Sequence, residues 1–324
     1  MENNNGATEL MKDIVRALRD KSPKELLSYA IFNEKEESKY YSRLAENVDR
    51  ASIRALFLRM SEESIGHHDW LYGLFKKLYP NEEPVKVDAP PVEVAPFYPK
   101  FESVEDYVSA LEYCMESELF ARKTYELLAK VAEDEDTRTF ALNLAAMEDE
   151  HYWAIRKMYE LIISLEEKNI VPTELDPGGY LFTDDLKAKY FLLDLMEGDT
   201  VLIVVIREKP EKFLEMFNGR KVDVIWMTKT DVDRSIRPEA LPALKNRLCQ
   251  FFKRASENSK HGTVFIQNLG YIALELGFKS MVDVVFYLKD CALLYNGHLL
   301  VTAVRDAFES REWALLTSEL REVS

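Results

Sequence analysis

Two glutamates and two histidines recur in this chain at one fixed offset. Sliding the first half along itself by 84 residues, without a gap, superposes Glu34 on Glu118, Tyr41 on Tyr125, Leu44-Ala45 on Leu128-Ala129 and His67 on His151. Tyr29, Arg54 and Leu58 fall on Tyr113, Arg138 and Leu142 in the same register. Each copy therefore reads Glu-x6-Tyr-x2-Leu-Ala, followed by a His on the next helical stretch. Seven residues are about two helical turns, so each Glu shares a face with its Tyr, and the Leu three residues on carries that stripe inward. Carboxylates among core positions require a compensating partner. Glu148-Asp149-Glu150-His151 adds Glu-x-x-His, a carboxylate and an imidazole one turn apart on one face. Hard oxygen donors with imidazole, drawn inward from four helices, suit a pair of iron or manganese ions.

Helices have to position those side chains, and the sequence supplies their boundaries. Ser22-Pro23-Lys24-Glu25 is a capping box with Pro at the first helical position, which predicts a helix to about Asn47. Asp49 or Ser52 starts a second helix ending near Leu78. Ser103 to Asp106 opens a third, to about Ala132, and a fourth runs from about Asp134 to Leu165. Between the second and third lies Pro80 to Glu102, with prolines at 80, 84, 90, 91, 96 and 99. So stiff a segment can carry the chain from one end of a bundle to the other. Residues 8 to 19 have the spacing of a short extra helix (Leu10, Met11, Ile14, Val15, Leu18), with the bundle and a second copy of the chain both open to it as docking sites.

The domains expected are a helical tail over 1–21, a four-helix bundle over 22–165, a linker over 166–179 and an α/β domain over 180–324. Charge changes at the same boundary, with 21 basic and 32 acidic residues up to 165 against 21 and 25 after it. The net charge of −15 over 324 residues argues against nucleic acid or an anionic membrane as partner. Cys114, Cys249 and Cys291 form no CxxC pair, which excludes a four-thiolate site and a disulfide framework and reads them as small core hydrophobes in a reducing compartment. Residues 1 to 25 carry no apolar leader, and Val201 to Ile206 is the longest plain apolar run, so the expectation is a cytoplasmic protein. Charged residues at 31% and Gln at only 250 and 267 fit a hot environment.

On the residues above, 22–165 resembles the rubrerythrin branch of the ferritin-like di-iron carboxylate proteins. That resemblance implies one Glu from each of the first and third helices and a Glu-x-x-His from each of the second and fourth. Carried over, it gives Glu34, Glu118, Glu148 and His151 as metal ligands and His67 as the second imidazole. Three residues before His67 stands Ser64, where the family has a bridging Glu, and the repeat superposes Ser64 on Glu148. Glu37, one turn beyond Glu34 on the same face, is the candidate replacement. Glu63 and His68 are rotated about 100° from the ligand stripe. The family's rubredoxin module, with four thiolates, is a second departure, since three scattered Cys cannot build it. Iron, two ions, is the implied cofactor, with manganese or zinc fitting the same donors. A homodimer and an external electron donor are the implied partners. For Tyr41 and Tyr125 the expectation is core packing with a hydrogen bond to the ligands.

After about residue 179, short β-branched runs alternate with helical stretches, reading as five strands (180–182, 200–206, 222–228, 263–269, 298–304) in a mostly parallel sheet covered on both faces. The sequence has neither GxxxxGK[ST] nor GxGxxG. Gly179-Tyr180-Leu181, Arg207-Glu208-Lys209-Pro210, Val224-Ile225-Trp226-Met227-Thr228, Arg237-Pro238, Val264-Phe265-Ile266 and Gly270-Tyr271-Ile272 resemble the archaeal domain of unknown function 835. Gln267 stands where that family has an acidic residue. The resemblance implies a signalling or docking role. Arg207, ending a central strand, reads either as an anion contact or as a salt-bridge partner, and His261 and His298 border strands without ligand spacing.

Two functions follow from these residues. One is an oxidoreductase, peroxidase- or ferroxidase-like, or an iron-handling protein acting in oxidative stress. The other is a non-catalytic sensor or adaptor with a degraded metal site.

Overall fold

The computed structural model describes every residue except 1, 2, 93–96, 218, 231, 233 and 234, with backbone alone for 3–8. Pro96, one of the crossover prolines, lies outside the described residues. The chain divides into two compact units, Met1–Tyr159 and Glu160–Ser324.

The first unit is all helical: α1 (Asn3–Arg19), α2 (Pro23–Asn47), α3 (Ala51–Leu78), α4 (Val104–Val131) and the start of α5 (Glu135–Glu167). Both expected capping boxes form. Ser22 accepts from the Glu25 amide while the Glu25 carboxylate accepts from the Ser22 amide, and Ser103 and Asp106 do the same for α4. Each cap satisfies helix-end amides that would otherwise go unpaired. The Pro80–Glu102 segment carries the chain from α3 to α4 without regular structure in its described part. Helix α1 settles on its own bundle. Ile14 and Leu18, one turn apart, are fully buried and join a core with Leu27, Leu71, Phe75 and Leu144, a burial that contributes roughly 1.5–3 kcal/mol for each side chain.

The second unit is a seven-stranded, wholly parallel sheet in the order β4-β3-β2-β5-β6-β1-β7. Its strands are β1 (Gly178–Phe182), β2 (Thr200–Ile206), β3 (Asp223–Met227), β4 (Ser235–Ile236), β5 (His261–Ile266), β6 (His298–Thr302) and β7 (Arg321–Glu322). Helices α6 (Asp185–Leu195), α7 (Pro210–Glu215), α8 (Leu241–Glu257), α9 (Leu269–Leu276), α10 (Phe278–Leu294) and α11 (Ser310–Glu319) connect them. The apolar runs of β2 and β5 are buried because helices cover both faces of such a sheet.

The sheet has two strands more than the five expected. Strands β4 and β7 are two residues long, too short to show a period, and β7 comes one residue after the end of α11. The 263–269 strand stops at Ile266, because Asn268 turns left-handed and caps α9 through the Tyr271 amide. Gly277, at φ 79°, breaks α9 from α10 where a side chain would be strained.

The cysteines correct a second expectation. Cys249 on α8 and Cys291 on α10 form a disulfide across 42 residues, so they are not free core thiols, and Cys114 alone remains a buried thiol. A spacing that long leaves no motif; the packing of α8 against α10 creates the pair. The disulfide removes the cysteine argument for a reducing compartment, although intracellular proteins of hyperthermophiles also carry such bonds.

Candidate metal centre

Helices α2, α3, α4 and α5 each turn chemistry inward at one level of the bundle. Glu37, Glu118, Glu148 and His151 are all buried, and each offers a ligand atom within 4.8 Å of the others. Beside them Glu34 Oε2 lies 3.3 Å from His67 Nδ1, and the His67 ring stacks on His151 with centroids 5.2 Å apart. The six sequence-predicted residues therefore fall in one place, with a division of labour the repeat did not disclose. Glu37 joins Glu118, Glu148 and His151, while Glu34 stands with His67.

Ser64 explains the position of Glu37. Its hydroxyl donates to Glu37 Oε2 at 3.0 Å, so the short side chain on α3 makes room for the carboxylate from α2 and holds it. Tyr41 donates to Glu118 Oε1, so the hydrogen bond to a ligand expected of it runs across helices, to the Glu of the other repeat and not to Glu34 on its own face. Glu63 pairs instead with Arg59 at 2.8 Å, and His68 sits beside Asp69 at 3.0 Å.

The electrostatics of the cluster are unbalanced. Burial pushes the Glu34 carboxyl up to about 7, with the charge of Glu37 adding to the push against the pull of His67. Glu118 and Glu148 are raised by burial and then by the negative charge of Glu37. Burial likewise opposes the Glu37 charge, but His151 and the Ser64 hydroxyl hold that carboxyl below its ordinary value. Burial also opposes a charged His151, yet Glu37 and Glu118, each 3.6 Å from its Nδ1, raise the imidazole well above 6.5.

Several of these atoms are also unsatisfied. Glu34 Oε2, Glu118 Oε2, His67 Nδ1 and both ring nitrogens of His151 are buried without a hydrogen-bond partner among the described residues. Such groups cost on the order of 1–3 kcal/mol each unless something pairs with them. Four carboxylates and two imidazoles converge here, and four negative charges match two divalent cations. The residues present fit a pair of metal ions on chemistry and on unmet polar atoms.

The carboxyl ends of the central strands in the second unit look superficially alike but are closed. Gln267, after β5, accepts the Arg207 amide at 2.8 Å and the Glu208 amide at 3.4 Å through its carbonyl. Its amide donates to Asp185 at 2.9 Å and Glu208 at 3.3 Å, and Lys189 pairs with Glu208. Arg207 donates to the Met227 carbonyl at 2.8 Å and lies 3.9 Å over the Tyr271 ring, so neither an anion nor a carboxylate is needed to place it. His261 and His298 begin β5 and β6 and stack 5.5 Å apart.

Comparison with known proteins agrees with this division. Residues 25–159 match the family model for Rubrerythrin, and residues 181–320 match the family described as Protein of unknown function (DUF835). No curated protein matches the chain. A solved structure of a hypothetical protein from Pyrococcus furiosus is similar over 46% of this chain and 95% of its own, at 27% identity and a TM-score of 0.38. No helix among the described residues is long and apolar enough to cross a membrane.

Proposed function

We propose that the helical unit is a two-iron centre that reacts with peroxide or dioxygen, and that the α/β unit serves as a signalling or docking module. The observation that carries this reading is the buried set of Glu37, Glu118, Glu148 and His151, with Glu34 and His67 beside it, in which several donor atoms have no hydrogen-bond partner among the described residues. Those six side chains would hold the ions. Iron bound there would supply one electron per ion, two in all, enough to reduce hydrogen peroxide to water. The chain's own residues fix the donors: Ser64 aims Glu37, Tyr41 aims Glu118, and the surrounding core keeps bulk water away. Burial raises Glu34, Glu118 and Glu148 in the metal-free unit, so cation binding competes with protons for those carboxyls. Manganese or zinc would satisfy the same donors without the same reaction. A homodimer, an external electron donor and a cytoplasmic setting in an archaeon complete the reading.

Ser64 in place of a bridging Glu favours a second reading in which the site senses metal or oxidant without turnover. Metal content of protein grown with iron, followed by the rate of Fe(II) oxidation on adding peroxide, separates the two. The enzyme reading expects two ions per chain and oxidation well above the buffer rate. One ion or none, with no rate above buffer, rejects it.

A further inference from the structure

The carboxylate cluster has a second side. Against it lies a cavity of about 120 Å³ between α2 and α4, walled by Tyr40, Tyr41, Tyr98 and Tyr113 and bounded by Glu37 and Glu118. Those two carboxylates are only 6% and 2% exposed, whereas Tyr98, on the crossover segment, is 45% exposed, so the cavity leads from the surface to the buried donors. That volume admits several water-sized molecules.

The rings that narrow it are held in place. Tyr40 donates to the Phe97 carbonyl at 3.0 Å and packs edge-on to Tyr98 with centroids 5.4 Å apart, while Phe97 packs against Tyr113 at 5.2 Å. The proline-rich crossover thus forms one wall of the cavity. Burial raises the Tyr40 and Tyr41 hydroxyls well above 10, so these walls are neutral phenols. Glu36, Lys39 and Arg43 also line the cavity, so its walls carry both signs of charge and size is what they select.

We propose that this tyrosine-walled cavity is the route by which a small uncharged oxidant, of the size of hydrogen peroxide or dioxygen, reaches the carboxylate cluster, with Tyr98, Tyr113 and Ser117 setting the size limit. The proposal rests on the two-iron reading for the identity of its user, but the passage itself does not depend on metal. Bulky organic hydroperoxides are excluded by the same walls.

Ser117 lines the cavity on α4, next to the exposed Glu116. Labelling of full-length Ser117→Cys, normalised to Glu116→Cys and located by peptide mass, reads the passage without metal. The expected result is that methyl methanethiosulfonate labels position 117 within about threefold of position 116, while a fluorescein maleimide labels it at least tenfold more slowly. Adding Tyr98→Ala should restore the bulky reagent. Labelling at 117 by both reagents as fast as at 116, or by neither, overturns the proposal. The second arm plugs the cavity with Ser117→Phe. Metal content should stay unchanged while peroxide-driven Fe(II) oxidation slows at least tenfold. An unchanged rate, or a plug that lowers metal uptake instead, overturns it by moving the oxidant to the partly exposed His67 side or giving the passage to the cation. If the wild-type protein binds no iron, the two-iron reading fails while the labelling result stands.

Discussion

Both units bury polar and charged side chains, and they differ in what those side chains face. In the bundle, Glu118 and His151 are almost fully enclosed, yet Glu118 Oε2 and both His151 nitrogens have no hydrogen-bond partner among the described residues. In the α/β unit, His298 is as deeply buried, but Thr263 donates to its Nδ1 at 3.2 Å and its Nε2 donates to the Leu175 carbonyl at 3.0 Å. Gln267 is likewise bonded at both ends of its amide. The pKa shifts follow. Carboxylates drive His151 up against burial, whereas burial, with His261 adding to it, pulls His298 down to about 4 against the Leu175 carbonyl. A buried polar group whose partners are complete is architecture, and one whose partners are missing is waiting for a ligand.

The sharpest way to break that contrast is to perturb each unit by what it alone depends on. Iron at a thousandfold over its dissociation constant stabilises the folded bundle by about 4 kcal/mol, and a chelator removes that gain. Reducing the Cys249–Cys291 bond, which closes 42 residues, costs the α/β unit up to about 4 kcal/mol by the chain-entropy estimate. Segment-resolved hydrogen exchange should therefore show chelator loosening α2 to α5 and reductant loosening α8 and α10, each leaving the other unit's protection in place. Crossed effects would mean that the two clusters are not independent.

A smaller effect comes from pH. His298 ionises near 6.5 in the unfolded chain and near 4 in the folded one. Between those values the unfolded chain takes up a proton that the folded chain refuses. The stability this residue contributes is full above pH 6.5 and is lost as pH falls toward 4, by up to about 3 kcal/mol. Denaturant unfolding of the α/β unit followed from pH 7 to 4 should show this decline, and His298→Asn should flatten it. An unaltered slope in the variant would assign the decline to other groups.

Much of this was legible before the structure. Helix α2 begins where Ser22 and Glu25 say it must, and the repeat brought Glu118, Glu148 and His151 to one level of one bundle, because a helical face is fixed by spacing along the chain. Glu37 was legible as the stand-in for the carboxylate absent at 64, but the placing of Glu34 with His67 was not, since it depends on side chains meeting across helices. Nor was the Cys249–Cys291 bond, made by the packing of α8 on α10, or strand β7, whose two residues carry no period. The tyrosine cavity left one faint mark, the adjacent pair Tyr40-Tyr41, of which only the second falls on the repeat.

Gln267 offers a test of about 2 kcal/mol. Its amide donates to Asp185 and Glu208, which Glu cannot do when ionised, so Gln267→Glu loses both bonds and sets a third carboxylate against two others. Chemical denaturation should place the variant about 2 kcal/mol below the wild type, with metal content unaffected. A neutral result would show that the network tolerates the acid the related family carries there, and that its closure in this chain is incidental.

The smallest effect is expected at Ser64, and it tests why the bundle cluster keeps four carboxylates at all. If Glu37 occupies the space that a Glu at 64 would take, Ser64→Glu adds a fifth carboxylate to a site already balanced for two divalent ions. Metal stoichiometry should then stay the same and affinity change by less than about threefold, because repulsion offsets the added ligand. In a Glu37→Ala background the same substitution should do far more, restoring most of the affinity that Glu37→Ala loses, since a carboxylate from α3 can then enter the space that Ser64 and Glu37 share 3.0 Å apart. Titration of the four proteins with Co(II), read by its visible absorption, closes this cycle. Equal gains from Ser64→Glu in both backgrounds would mean that the two carboxylates do not share one place, and that Glu37 belongs to the cluster for some other reason than replacing the residue lost at 64.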